Sequence, residues 1–203
     1  KESINIITLI VDISNNKSVS RLIENYKPQI ILHAAAHKHV NLMEKTPIEA
    51  VRNNIGGILN LTKNSIKQNV EKFVLVSSDK AVEHTNIMGA TKRISEMIIS
   101  QIKDTKNTKF TSVRFGNVLG SDGSVVPIFQ KQIEQGGPVT VTDPKVDRFF
   151  MTAHEAAGLI LSAAEFGNNK EIFLLDMGKP INISFLAKTM IELSGFIPNK
   201  DIQ

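Results

Sequence analysis

Phe73-Val74-Leu75-Val76-Ser77, followed at once by Ser78-Asp79-Lys80-Ala81, is the stretch on which the fold turns. Four consecutive apolar residues, without the polar alternation of a half-solvated strand, predict a parallel strand covered on both faces. The helix-period segment Met88–Ile102 follows, with Ile94, Met97, Ile98 and Ile102 expected on one apolar face. Working outward, Ile30–Ala35 before it and Phe110–Phe115 after it are two more apolar strand candidates. The same alternation continues towards the start of the chain. Ile4–Val11 reads as a strand, polar Asp12–Ser20 as a loop, and a short helix runs to about Tyr26, where Pro28 stops it. A long helix is expected from Thr46 to about Gln68, with Thr46 as N-cap, Pro47 at the first helical position and Glu49 completing a capping box. Strand–helix repetition of this kind predicts an α/β fold, a doubly wound parallel sheet.

Past Asn117 the texture changes. Gly120, Gly123, Gly136, Gly137 and Pro138 punctuate shorter elements. These read as a helix Val125–Gln135, a short strand Val139–Val141, a helix opened by a second capping box from Thr152 to Glu155, a strand Ile172–Leu175, and a last helix Ser184–Ser194 stopped by Gly195. The organisation expected is a first domain over residues 1–117 and a smaller mixed α/β lobe over 118–203, interleaved with it. Lys1 to Ile10 already read as strand, so the chain is expected to be part of a longer one.

Composition narrows the classes. The 203 residues carry a net charge of +4, 41% hydrophobic and 22% charged residues, which is ordinary for a globular domain. The lysines are dispersed, and ten Phe, one Tyr and no Trp offer little to stack on bases, so nucleic acid is not an expected partner. The mild positive excess suits a small phosphorylated ligand. Zero cysteines exclude disulfides, thiolate metal sites and thiol nucleophiles. No apolar run approaches the ~20 residues of a spanning helix, and no signal peptide is visible, so a cytoplasmic address is expected.

The chemistry-bearing stretch is the one quoted first. In open parallel sheets ligands sit at the carboxyl ends of strands. A Ser, an acid and a Lys there, with Lys92 at the start of the next helix, form a cluster of proton-transfer groups. A solvated Asp79–Lys80 pair in a turn is the competing reading. His33, His37 and His39 invite a metal reading, but no carboxylate cluster or Cys accompanies them, and no metal is expected.

Ser77-Ser78-Asp79-Lys80-Ala81 followed by Asn86-Ile87-Met88-Gly89-Ala90-Thr91-Lys92-Arg93 resembles the CapD-like polysaccharide-biosynthesis family. These are UDP-N-acetylglucosamine 4,6-dehydratases, extended short-chain dehydrogenases with an NAD-binding Rossmann domain. Four further blocks agree in order: His33–Val40, Arg114–Ser121, Gly136–Thr142 and Asp176-Met177-Gly178. The likeness covers nearly the whole chain. It implies NAD as cofactor, a UDP-sugar as substrate, a homo-oligomer, and a membrane association only through a part preceding these residues. The family's G-x-x-G-x-x-G turn occurs nowhere in the sequence, nor does its C-terminal Arg-Pro-Gly-Glu-Lys segment. These 203 residues by themselves are therefore expected to bind NAD poorly and to be inactive.

The resemblance also implies roles. Asp12 and Ile13 match the pair that touches adenine. Ala34, Ala35, Ala36 and Lys38 match the strand end and loop beside the cofactor, where small side chains let the backbone approach. Asn54 matches the family's helix asparagine, and a buried polar residue mending a backbone bond is an equal reading. Lys92 matches the lysine that bonds the nicotinamide ribose. Asn117, Val125, Pro127, Phe129, Thr140 and Arg148 match the nucleotide-sugar site, with the Arg148 fork suited to a diphosphate. An ion pair with Asp143 or Asp147 is the alternative for Arg148.

The implied chemistry is internal redox. NAD oxidises C4 of the sugar, Lys80 takes the acidified C5 proton, Asp79 protonates the departing C6 hydroxyl, and C6 is reduced, regenerating the cofactor. An adjacent acid and base are what elimination adds to simple epimerisation. The usual tyrosine of this superfamily is Met88 here, whose thioether takes no proton; Ser78, Asp79 or a water held by Lys92 are candidates for its task. Two other functions remain open, a nucleotide-sugar 4-epimerase and a non-catalytic nucleotide-sugar-binding protein.

Overall fold

The computed structural model describes residues 4–83, 85–121 and 123–203. Its centre is a four-stranded parallel sheet. The strands are β1 (Ile30–His33), β2 (Lys72–Val76), β3 (Lys109–Arg114) and, after three short strands, β7 (Ile172–Leu174). Their order is β1-β2-β3-β7, all parallel, with Phe73 opposite Ile31 and Phe110. The doubly wound α/β class read from the sequence is the one observed.

Helices α1 (Asn16–Tyr26), α2 (Val40–Lys45), α3 (Pro47–Ala50), α4 (Gly57–Lys67) and α5 (Ile87–Gln101) follow in chain order, with α3 and α4 joined by a π-helical turn, Val51–Gly56. One face of the sheet is closed by α1, α4 and α5: Val19, Ile23, Ile58, Leu61 and Ile99 pack on Phe73, Leu75 and Phe110. The other face is closed over β2 and β3 by α7 (Ala153–Phe166), where Ala163 and Ala164 meet Val74 and Val113. Continuous apolarity therefore marks β2 correctly, whereas β3 is buried with the polar Thr111 and Ser112 at its centre. In β1, at one edge of the described sheet, Ile30 and Leu32 are exposed because α7 does not reach them.

The later residues contribute α6 (Val125–Glu134), two short pairings, and α8 (Ile183–Leu193). The parallel pair is β4 (Asn117–Val118) with β6 (Phe150–Met151), and the antiparallel pair is β5 (Asp147–Arg148) with β8 (Ile181–Asn182). Because α7 and β7 belong to the main sheet, residues 118–203 interleave with residues 1–117. The capping box at α7 forms: Thr152 Oγ1 accepts from Glu155 N, and the Glu155 carboxylate accepts from Thr152 N.

Several expectations are corrected. Ile4–Val11 is not a strand: no segment among the described residues runs alongside it to complete a ladder, and Ile4, Ile6 and Ile10 are exposed. The expected strand reading began at Lys1, and Lys1–Ser3 lie outside the described residues. The capping box at Thr46 does not form. Thr46 also ends α2, so its hydroxyl bonds back to Leu42 O, while Glu49 pairs with Arg52. Val139–Val141 is extended but unpaired as a strand; Val139 N bonds only to Gln203 O. In α5 the buried face is Met88, Thr91, Ser95, Glu96 and Ile99, whereas Ile94 and Met97 are exposed. That helix packs its polar side inward because it carries partners for the ends of two strands and for the π-helical turn.

Phe73, wholly buried between His33 and Phe110, is the hinge of the larger core cluster. Phe73→Ala is expected to lower the free energy of unfolding by roughly 3–5 kcal/mol, read as a shift in the urea midpoint with an unchanged far-ultraviolet spectrum of the folded form.

Candidate active site

All four main strands point the same way, so their carboxyl ends meet on one edge, where ligands bind in open α/β sheets. A cleft of about 1230 Å³ opens there between the sheet and α6. Lys38, Ser78, Lys80, Met88, Lys92, Asn117, Val125, Phe129, Thr140 and Arg148 all line it. These ten come from seven separate stretches of sequence.

The turn after β2 is shaped by its own side chains. Ser78 caps a single 3-10 turn, Asp79–Ala81. Asp79 Oδ1 accepts from Ser78 Oγ at 2.8 Å, from Lys80 N at 2.9 Å and from Lys80 Nζ at 2.9 Å. Lys80 Nζ reaches on to Asn117 Oδ1 at 3.5 Å. Asp79 therefore stands behind Lys80 and Ser78, which face the cleft, and is joined to both. Asp79 Oδ2 lies beside Gly116, where a Cβ would sit 3.4 Å from it and 3.1 Å from Met177 Sδ. A residue with no side chain lets the β3 end come this close. Asp79 and Lys80 are a bonded pair, each about two-fifths exposed or less, rather than two freely solvated charges.

Lys92 sits in the second turn of α5, whose N-cap Asn86 accepts from Gly89 N. Its Nζ donates to Val76 O at 2.8 Å and leaves two protons for the cleft. Burial pushes the Lys92 ammonium down to about 8, and the Glu96 charge pulls it partway back. His33, at the end of β1, is pushed down to about 4, first by burial and then by the Lys92 charge, so it is neutral at pH 7. Glu96 was not anticipated from the sequence. Burial raises its carboxyl, but hydrogen bonds from Arg114 and Ser77, the Arg114 charge and a bond from Arg93 outweigh that and leave it lowered.

Other expected residues take different parts. Met88 is 6% exposed and packs with Met43 and Ala50, so it is a wall of the site and no proton carrier. Asn54 does not face the cleft. Its Oδ1 accepts from His37 N, and its Nδ2 donates to His37 O and Thr91 Oγ1, so it ties the loop after β1 to α5. These bonds are those of the mended-backbone alternative for Asn54. Asp12 bonds Ser14 N in an exposed turn, and that hydrogen bonding lowers its carboxyl. The Ile13 side chain is packed in the core; a Cβ on Gly57 would lie 2.6 Å from it. What Ile13 can offer a ligand is backbone. Ala34 and Ala35 are exposed and leave an open backbone ledge at the end of β1, outside the large cleft. Pro127 lies in the first turn of α6, also off the cleft, where its missing N–H costs no helix bond.

Thr140 is clamped by Gln132, whose Oε1 accepts from Thr140 N and whose Nε2 donates to its hydroxyl. Arg148 makes no carboxylate pair among the described residues; it donates only to Asp147 O, and the alternative ion pair with Asp143 or Asp147 is not formed. Lys38, Lys80, Lys92 and Arg148 against Asp143 give the cleft a positive excess that suits a diphosphate. The open ledge at Ala34–Ala36 and the two remaining Lys92 protons leave space and donors that fit a dinucleotide. No helix of the described residues is long and apolar enough to cross a membrane.

The family model described as polysaccharide biosynthesis protein matches residues 1–203. The capsular polysaccharide biosynthesis protein CapD of Staphylococcus aureus is 51% identical over 193 residues, covering 95% of this chain and 32% of that protein. A UDP-glucose 4-epimerase of Rickettsia canadensis is 35% identical over 189 residues, covering 92% of this chain and 54% of that protein. Among solved structures, Pen from Bacillus thuringiensis superposes with a TM-score of 0.87 at 42% identity, over 96% of this chain and 61% of that one. The chain thus spans about a third of the length of the capsular relative and about half that of the epimerase.

His33 makes stability depend on pH in a defined window. Its folded value, about 4, lies below the ordinary 6.5, so the neutral form is the one the fold accepts. The contribution is complete above pH 6.5 and is lost as pH falls towards 4. Between pH 7 and pH 4.5 the wild type is expected to lose roughly 2–3 kcal/mol more than His33→Gln, measured by urea unfolding at both values.

Proposed function

Since the chain belongs to the polysaccharide biosynthesis protein family, we propose that it forms the catalytic part of an NAD-dependent 4,6-dehydratase acting on UDP-N-acetylglucosamine. The observation that carries this reading is the Asp79–Lys80 pair, with Oδ1 and Nζ 2.9 Å apart and Lys80 lining a cationic cleft in front of Asp79. Bound NAD supplies reversible oxidation of a sugar carbon. Everything else the reaction needs is proton handling, and this chain's residues supply it.

The proton count supports Asp79 as more than a counter-ion. Oxidation at C4 releases a hydroxyl proton, and departure of the C6 hydroxyl as water consumes one. One carboxylate serves both steps, taking the first proton and giving it up at the second. Ser78 faces the cleft and donates to Asp79 Oδ1, so a proton leaving C4 has a path through Ser78 Oγ to Asp79. Met88, which cannot take that proton, then has only to fill space.

For elimination Lys80 must act as a neutral amine. Asp79 by then holds the proton released at C4, so Lys80 enters the cycle as the amine, and the pair presents amine and carboxylic acid, the base and the acid that the step requires. Lys80 removes the C5 proton, the C5–H electrons form the C5–C6 double bond, the C6–O bond breaks, and Asp79 gives its proton to the leaving oxygen through Ser78 Oγ. Lys80 returns its proton to C5 when C6 is reduced. Lys92 suits the nicotinamide ribose, and Asn117 and Arg148 suit the diphosphate.

The test is product analysis of the full-length gene product with UDP-N-acetylglucosamine. A 4-keto-6-deoxy sugar is expected. In Lys80→Ala, exchange of the C5 proton with deuterated solvent is expected to fall by at least about 10²-fold, while nucleotide-sugar binding persists. An epimerised sugar would move the reading to a 4-epimerase, as the Rickettsia relative is named, and unchanged substrate despite binding would leave a nucleotide-sugar-binding protein.

A further inference from the structure

Glu96 has no part in the chemistry above, yet among the described residues it is the one acidic side chain that is fully buried, at 1% exposure. Its Oε1 accepts from Ser77 Oγ at 2.6 Å and from Arg114 Nε at 2.7 Å. Its Oε2 accepts from Arg114 Nη2 at 2.5 Å and from Arg93 Nη1 at 3.2 Å. The carboxylate thus joins the end of β2, the end of β3 and the middle of α5. Ser77 stands two residues before Asp79, Arg114 three before Asn117, and Lys92 one helical turn before Glu96 itself.

We propose that Glu96 is a positioning residue for this site: it locks the β2 and β3 ends against α5, and it supplies the negative charge that keeps Lys92 an ammonium. The proposal rests on the cofactor reading above for the task of Lys92, but not on the sugar chemistry. The charged and titratable groups around Lys92 are Glu96 and Arg93 on its own helix, His33 at the end of β1, Asp79 and Lys80 beyond β2, and Arg114 on β3. His33 is neutral and the arginines are fixed cations. Of the two carboxylates, Asp79 is bonded to Lys80. Glu96, though paired with Arg114 and Arg93, lies one helical turn from Lys92 and is the carboxylate whose charge acts against the cost of holding that cation away from water.

The test measures NAD+ binding to the full-length gene product by calorimetry from pH 6 to pH 10, a readout independent of turnover. In the wild type, affinity is expected to fall on the alkaline side with a midpoint near about 8. In Glu96→Gln, which keeps the shape but loses the charge and one of the two acceptor oxygens, the midpoint moves down by about one unit or more, and binding at pH 7.5 weakens several-fold. Ser77→Ala keeps the charge, and its midpoint stays in place. Lys92→Arg carries a guanidinium that does not titrate in this range, and its alkaline limb disappears. Glu96→Asp keeps the charge one methylene further back, so it holds the midpoint while lowering kcat; this arm stands if Glu96→Gln does not fold, and an undiminished kcat in Glu96→Asp overturns the positioning role. A folded Glu96→Gln with an unmoved midpoint, or a limb that survives in Lys92→Arg, overturns the proposal. A wild type that shows the midpoint yet makes no 4-keto-6-deoxy sugar overturns the dehydratase reading and leaves this one standing.

Discussion

A carboxylate buried at the meeting point of two strands and a helix holds the rest of this site in place. Left alone in the interior, Glu96 would cost several kcal/mol in lost hydration. It is tolerated because Arg114 meets it with a two-pronged fork and Ser77 and Arg93 fill the remaining acceptor directions. An interaction of this kind adds little net stability, but it is intolerant of misalignment. A shift of α5 by one residue would leave a charge unpaired, whereas an apolar contact would merely repack. The register of α5 on β2 and β3 is therefore set by polar chemistry, and with it the distance between Lys92 and the Ser78–Lys80 turn.

A second polar tie works on the opposite flank of α5. The segment from Pro47 to Lys67 passes through a π-helical turn at Val51–Gly56, and such turns widen a helix by one residue. Asn54 sits in that turn, 3% exposed, and reaches both backbone groups of His37 and the Thr91 hydroxyl. The loop after β1 is thereby pinned to the helix that carries Lys92. Thr91 and Ser95 turn towards Asn54, and Glu96 towards the sheet, which is why the inward side of α5 is polar. Loops carry the reactive groups here, and buried polar side chains on regular elements fix where those loops lie.

This explains what the sequence made legible. The apolar run Phe73–Val76 reports burial on both faces, and that property depends on the strand alone. The Thr152–Glu155 cap is equally local. By contrast, periodicity assigned Ile94 and Met97 to the core, because counting apolar residues presumes that a helix buries its apolar side. The Lys92-x-x-x-Glu96 spacing together with an arginine at the end of an apolar strand, Arg114, was the available signal: an arginine there needs a buried acid. Thr46 misled for a similar reason, since its hydroxyl belongs both to a helix end and to a helix start and can satisfy only one. The strand expected at Ile4–Val11 depends on a neighbour, and strand identity is a property of pairs.

The same reasoning bears on why a methionine is acceptable where a tyrosine is usual. A phenol at position 88 would have to ionise in contact with Met43 and Ala50, in an apolar wall that disfavours the charged form. On the reading proposed above that work falls to Asp79. Its carboxylate has three donors on one oxygen and a second oxygen held beside Gly116, so the turn fixes where it stands. In that reading the acid–base function lies at the strand end instead of on the helix, where Asp79 is joined directly to Lys80. One bonded pair can then serve oxidation and elimination in sequence, with a thioether filling the space that a proton carrier has vacated.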